Sequence, residues 1–245
     1  MRGMLWSFFL KPRSHMQTRR LSIAFCFILA ACASAPKPIV QLPAPFPLVA
    51  HDANVLASVR IDVVESGQGS GVIISKNGLV LTNEHVIRRA GSSAIIVVIK
   101  RADGTESNFM ATVVANDPTR DLALLRVNGL TVGSVVSFAD DKEVNAGDPT
   151  YGIGYPGGRG PTTVWGKVMT VPFFVDMRPA EPANFKAGLL VMLPANDGSS
   201  GQPVFSATTG KLIAVHKLSL GGGEKSVLVS VVEIRRFLAD NNISL

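Results

Sequence analysis

Cysteine is almost missing from this chain of 245 residues: Cys26 and Cys32, both near the N-terminus, are the only two. The body beyond them has no pair for an internal disulfide, so its stability must come from a buried core. Metal-ligand spacing is lacking too. The histidines beyond residue 31 are His51, His85 and His216, with no H-E-x-x-H pattern and no cysteine beside them, so no metal is expected. An excess of one charge is equally scarce once charge is partitioned along the chain. Arg2, Lys11, Arg13, Arg19 and Arg20 lie in residues 1–31 with no acid, and they carry most of the formal net charge of +6. What remains is close to neutral and offers no electrostatic footprint for nucleic acid. The longest apolar run, Leu21 to Ala31, falls well short of the roughly 20 residues needed to cross a bilayer. No internal repeat or coiled coil is evident.

That apolar run follows Arg19-Arg20 and ends in small residues, the layout of a signal peptide. Leu29-Ala30-Ala31-Cys32 resembles the lipobox of bacterial lipoproteins, which implies removal of residues 1–31 and lipidation of Cys32. Ordinary cleavage after a small residue is the alternative, and Met16, just before the basic pair, is a second candidate start. Residues 32–50 are rich in alanine and proline (Pro36, Pro38, Pro43, Pro45, Pro47) and suit an extended tether between a membrane anchor and a folded body. Ala33 stands where lipoproteins retained at the inner membrane carry aspartate. The lipobox therefore implies a cell-envelope location, with the domain in the periplasm, outer membrane favoured, or on the extracellular face.

Residues 51–245 read as one all-β body. Short β-branched and apolar runs are split by Gly, Asn, Asp and Pro: Val55–Val64, Gly71–Ser75, Leu79–Thr82, Ala94–Lys100, Phe109–Ala115 and Leu122–Val127 come first. Thr150–Tyr155, Thr163–Val175, Gly188–Leu193, Pro203–Phe205, Leu212–Leu218 and Ser226–Val232 follow. Such a series without intervening helices predicts barrels or sandwiches. Asn77-Gly78 and Asp103-Gly104 are hairpin turn signals. Apolar residues at helical spacing from Val231 to Asn241 predict one closing helix.

Five motifs carry candidate chemistry: Gly69-Ser70-Gly71, Thr82-Asn83-Glu84-His85-Val86, Asp121-Leu122-Ala123-Leu124-Leu125, Gly152-Ile153-Gly154-Tyr155-Pro156 and Gly198-Ser199-Ser200-Gly201. In this order they resemble the successive motifs of trypsin-like serine proteases, closest to the bacterial Deg/HtrA-like branch, here without a PDZ domain. The resemblance spans about residues 55–240. It implies a chymotrypsin-like fold of two six-stranded antiparallel β-barrels, dividing at about 135–150, with the active site between them and a short C-terminal helix. It also implies a serine-type endopeptidase with His85, Asp121 and Ser200 as catalytic residues, protein or peptide as substrate, and no cofactor. The chain order His, Asp, Ser is that of the chymotrypsin constellation.

The residue types suit that chemistry. A serine hydroxyl is a poor nucleophile until a positioned base takes its proton, and histidine, with an ordinary pKa of about 6.5, is the base suited to neutral pH. A carboxylate on the other ring nitrogen fixes the tautomer and stabilises the imidazolium. Asp117 is near enough in sequence to compete with Asp121, and Ser199 competes with Ser200; the motif match favours Asp121 and Ser200. His51 and His216 have no such context and default to structural or exposed roles. By the same resemblance the backbone N–H groups of Gly198 and Ser200 form the oxyanion hole.

Two positions depart from the family pattern. Ser199 stands where digestive trypsin-like enzymes carry the aspartate that receives a new N-terminus. Gln202 stands where a second small residue is usual, and its bulk is expected to distort the turn or narrow the cleft. Gln202 is also the main support for the alternative, a pseudoprotease that binds a peptide or envelope component without turnover. The primary pocket is expected around Leu193-Pro194-Ala195 and Ala214–Lys217. Pro194 occupies the position where trypsin-like preference for Lys or Arg requires aspartate, so a small or apolar side chain is expected at the cut site.

Overall fold

The computed structural model describes residues 46–130, 132–173 and 188–245. Twelve strands among them close into two barrels. The first contains β1 (Ser58–Val63), β2 (Gly67–Ile73), β3 (Leu79–Thr82), β4 (Ile95–Lys100), β5 (Glu106–Asp117) and β6 (Leu122–Val127), in the spatial order β1-β2-β3-β6-β5-β4. The second contains β7 (Pro149–Gly154), β8 (Thr162–Phe173), β9 (Gly188–Met192), β10 (Pro203–Ser206), β11 (Leu212–Leu220) and β12 (Lys225–Ser230), in the order β10-β11-β12-β9-β8-β7. Every pairing between these strands is antiparallel. The two barrels divide between Val127 and Pro149.

Alternation along the strands explains closure. In β1, Val59, Ile61 and Val63 are buried while Arg60 and Asp62 are half-buried, so one face fills the barrel and the other meets its surroundings. Val59, Ile61, Val72, Leu81, Val97 and Leu124 form the first core. Leu189, Val191, Leu193, Val204, Ala214 and Leu228 form a second. Tyr151, Phe205, Val215 and Val229 come from second-barrel strands yet pack continuously with the first core, so the barrels meet through apolar side chains. That contact holds the cleft edges in register.

Three helices accompany the barrels: α1 (Leu48–Ala57), α2 (Glu84–Ile87) and α3 (Val231–Asp240). The last covers almost the span its periodicity predicts. Ser230 caps it by accepting from the Glu233 N–H, and Ile234, Phe237 and Leu238 are its buried stripe.

Helix α1 was not expected from sequence, and it begins inside the stretch read as tether. Its cause is tertiary. The buried Asn54 side chain donates to Tyr151 Oη (2.9 Å) and to the Gly210 carbonyl (2.7 Å), both in the second barrel. His51 lies 3.0 Å from Thr163 Oγ1 and packs among Phe46, Tyr151 and Trp165. Of the structural or exposed roles open to His51 in the sequence, its contacts give it the structural one. Cys26, Cys32 and the leader and tether before Phe46 lie outside the described residues.

Candidate active site

Helix α2 is one turn long and carries His85 on it. Its first-turn N–H groups have no partner within the helix, and a carboxylate satisfies one of them: His85 N–H donates to Asp121 Oδ1 at 2.9 Å. The same carboxylate accepts from the His85 ring, with Nδ1 2.8 Å from Oδ2 and 3.0 Å from Oδ1. Backbone and ring are thus held by one side chain, leaving Nε2 as the nitrogen for other chemistry. Asp121 has φ 58°, a left-handed conformation that aspartate tolerates better than most residues. Its carbonyl accepts from Asn83 Nδ2 at 2.9 Å, which ties this turn to the residue before α2. Asp121 is buried while the His85 ring is about one-third exposed, so the pair presents its base to the cleft and keeps its acid away from water.

Asp117 is excluded by its own contacts. It accepts from the Thr119 and Arg120 N–H groups and from Arg120 Nη1, which makes it a turn and ion-pair residue.

The segment Asn196–Gln202 is a double turn. Ser199 N–H donates to the Asn196 carbonyl and Gln202 N–H to that of Ser199, each at 2.9 Å. The two serines part company here. Ser199 is buried and its Oγ accepts from the Asn196 N–H at 3.1 Å, so its hydroxyl serves the turn. Ser200 lines a cleft of about 1110 Å³ together with His85, Gly198 and His216. Among the described residues no hydrogen bond joins Ser200 Oγ to the His85 ring, although both border the same space. Such bonds are commonly long in ligand-free sites and tighten on a substrate.

The first barrel grips this turn through β2. Ser70 N–H donates to the Ser200 carbonyl (2.7 Å), Ser70 Oγ donates to that of Gly198 (2.7 Å), and the same Oγ accepts from Tyr155 N–H (3.0 Å). The Ser70 carbonyl accepts from Thr82 Oγ1 at 2.7 Å. A Cβ on Gly201 would collide with the Ser70 carbonyl oxygen, and Gly201 has φ 82°, so glycine is required for this close approach. The Asp197 carbonyl accepts from Gly157 N–H at 2.9 Å. In a trans peptide the next N–H points the opposite way, so this bond fixes the direction of the Gly198 N–H. Neither that N–H nor the Ser200 N–H donates to a protein acceptor among the described residues.

Residues 69–215 match the trypsin-like peptidase domain, more than half of the chain. The chain belongs to this family. A probable periplasmic serine endoprotease, DegP-like, from Bartonella henselae is 33% identical over 165 residues, covering 66% of this chain and 30% of that protein. The serine protease Do-like HtrA of Bacillus subtilis is 32% identical over 161 residues, covering 64% and 34% respectively. This chain therefore spans about a third of the length of those relatives. Among solved structures, an inactive form of Rv3671c from M. tuberculosis has a TM-score of 0.66 at 24% identity, covering 84% of this chain and 96% of that one. Deg5 also has a TM-score of 0.66, at 22% identity, covering 77% and 90%. At such identities these structures establish the fold, two six-stranded chymotrypsin-like barrels.

Against that family fold, Gln202 behaves differently from its sequence expectation. It is buried and absent from the cleft lining, and its amide lies over β7, where a Cβ on Gly154 would come within 2.6 Å of Oε1 and one on Gly152 would strike Nε2. The two glycines make room for the glutamine inside the second barrel. The turn keeps its backbone bonds, with His216 N–H donating to the Gln202 carbonyl at 2.8 Å. Both effects expected of Gln202, a distorted turn and a narrowed cleft, are therefore corrected.

His216, which sequence left as structural or exposed, is buried and lines the cleft of this peptidase fold. Burial pushes its pKa down to about 4, the nearby His85 adds to that, and Asp121 opposes it. The sequence signal missed was position: His216 lies on the strand that pairs with the segment following the Asn196–Gln202 turn. Ser70 and Thr82 were inside recognised motifs, yet nothing local showed that they clamp the turn. Among the described residues no group of three or more His, Cys, Asp or Glu is placed to hold a metal.

Proposed function

We propose that this protein is a serine endopeptidase of the DegP type, tethered by lipid in the bacterial cell envelope, with His85, Asp121 and Ser200 catalytic and Gly198 and Ser200 supplying the oxyanion hole. The observation that carries the reading is the His85–Asp121 pair at 2.8 Å opening onto the same cleft as Ser200.

In the reaction, Ser200 Oγ attacks the scissile carbonyl carbon while His85 Nε2 takes its proton. The carbonyl oxygen gains negative charge between the two unspent N–H donors, where losing one donor costs about 2.7–4 kcal/mol. Collapse breaks the C–N bond, His85 gives its proton to the leaving amine, and an ester remains on Ser200. Water then attacks that ester, with His85 again accepting the proton. The C–O bond breaks, and Ser200 recovers its hydrogen. Asp121 stays ionised throughout, orienting the ring and balancing its charge. No metal or cofactor enters any step.

The anchoring part rests on sequence: the apolar run after Arg19-Arg20, the lipobox-like Leu29-Ala30-Ala31-Cys32 and the proline-rich residues 32–50 before a domain at 51–245. Matched relatives carry the name periplasmic, which fits an envelope location. The pseudoprotease alternative loses its ground, because Gln202 is turned into the barrel and away from the cleft. Fluorophosphonate labelling of the protein, lost in Ser200→Ala, tests the enzyme; a folded protein that refuses the label refutes it. Metabolic labelling with palmitate, lost in Cys32→Ala, tests the anchor.

A further inference from the structure

The inside of the second barrel carries an apolar cluster, Val191, Leu193, Val204, Ala214 and Leu228 among it, with the Gln202 amide buried against β7. Ala214 and His216 are two apart on β11 and so share a face, the one that carries Val204 on β10 and Leu228 on β12 in the core. His216 pairs with Leu228 across β12, and its carbonyl accepts from Gly201 N–H at 3.1 Å, so the ring stands beside the nucleophile turn at the mouth of the barrel. A bulge at Lys217 follows, where pairing passes from His216–Leu228 to Leu218–Val227. Beyond it the exposed Ser219 returns to the same wall, with Oγ 3.3 Å from His216 Nε2.

This wall borders a space lined in part by small residues, beside Asn196, Lys217 and Leu218. Ala195, Gly222 and Gly223 border it, and Ala195 N–H donates to the Gly223 carbonyl at 2.9 Å, closing one side. The other ring nitrogen, His216 Nδ1, is buried and has no hydrogen-bond partner. An orphaned buried N–H is rarer and costlier than a bare nitrogen, so Nδ1 is bare and Nε2 carries the hydrogen. Its contact with Ser219 is long for a hydrogen bond and easily exchanged. Two donors, His216 Nε2–H and Ser219 Oγ–H, therefore stand together on this wall. Burial keeps the ring neutral near pH 7.

We propose that His216 and Ser219 form the polar end of the primary specificity pocket and select a substrate side chain ending in a carboxamide or carboxylate oxygen, glutamine or glutamate, at the cut site. This rests on the endopeptidase reading above, and it replaces the small or apolar side chain expected from sequence. One acceptor oxygen takes both donors. Alkyl side chains leave the buried His216 donor unpaired, and lysine or arginine brings it only further donors.

Kinetics on matched fluorogenic peptides differing only at the cut-site residue test it. Gln or Glu peptides should exceed Val, Ala and Lys peptides by about 10- to 100-fold in kcat/KM, the cost of leaving one buried donor unpaired. Comparing Gln with Glu tells the neutral oxygen from the charged one, and preference for either supports the pocket. His216→Val should abolish the preference, and Ser219→Ala, an exposed position with little folding risk, should reduce it severalfold. Cleavage that favours Val, Ala, Lys or Arg overturns the proposal. Fluorophosphonate labelling of wild type reads Ser200 independently of this choice, so a labelled enzyme with the wrong preference sinks the pocket and leaves the endopeptidase standing. Fluorescence-polarisation binding of product peptides to Ser200→Ala gives a readout without turnover. Tighter binding of peptides ending in Gln or Glu supports the pocket even if wild type takes no label, and equal binding of all ends refutes it.

Discussion

His216 should make the folded protein sensitive to mild acid. Its ring is held to a pKa of about 4 mainly by burial, with the nearby His85 adding to the effect and Asp121 opposing it, against an ordinary value of about 6.5 in the unfolded chain. Between those two values the unfolded chain binds a proton that the folded protein refuses, so stability rises with pH across this window and falls on acidification through it. Below about pH 4 the term levels off. At 1.36 kcal/mol per pH unit the full gap amounts to about 3 kcal/mol, and acidifying from about pH 7 to about pH 5 draws on about 2 kcal/mol of it. Urea unfolding at those two pH values, on wild type and on His216→Gln, isolates the term because every other side chain is common to the two proteins. The wild type should lose about 2 kcal/mol more than the variant on acidification. Equal losses would show that His216 protonates freely in the folded state, and the account of its burial would be wrong.

Three further outcomes follow from the geometry. Asp121→Asn leaves the fold intact and lowers kcat by about 10⁴, since an amide no longer fixes the His85 tautomer; peptide hydrolysis measures this, and a loss below tenfold would contradict it. Gly154→Ala destabilises by about 1–3 kcal/mol through overpacking against Gln202, and adding Gln202→Ala should recover most of it. Additive losses in the thermal unfolding of single and double variants would show that the two sites do not touch. Ser70→Ala removes the donor to the Gly198 carbonyl and the acceptor of Tyr155 N–H, costing about 1–3 kcal/mol of stability and slowing fluorophosphonate labelling. A normal labelling rate would mean that the turn holds its shape without the clamp.

Much of this was legible in the chain. Strand-length β-branched runs separated by turn residues anticipated twelve strands, because pleated, half-buried surfaces select those residues regardless of which neighbour they find. The C-terminal helix was legible because its apolar spacing and Ser230 cap are local. Helix α1 was not: its start fell in the stretch read as tether and its end, from Val55, in a run read as strand, while the contacts that hold it, Asn54 to Tyr151 and Gly210, come from the second barrel. The short α2 escaped for a similar reason, since its N–H partner Asp121 lies on another segment.

By itself the sequence determined which residues could carry chemistry, because His85, Asp121 and Ser200 sit in local motifs whose glycines and small residues set the turns. It also determined that no disulfide braces the body. Tertiary structure decided what becomes of the serine the motif passed over, since Ser199 is buried with its hydroxyl on the Asn196 N–H while Ser200 lines the cleft. It likewise decided Gln202 and His216, adjacent across one pair of strands. Gly152 and Gly154 take in the glutamine, and the barrel mouth leaves the histidine buried at the edge of the cleft. Side-chain identity travels with the chain, but the space a side chain fills is set by neighbours brought from distant strands.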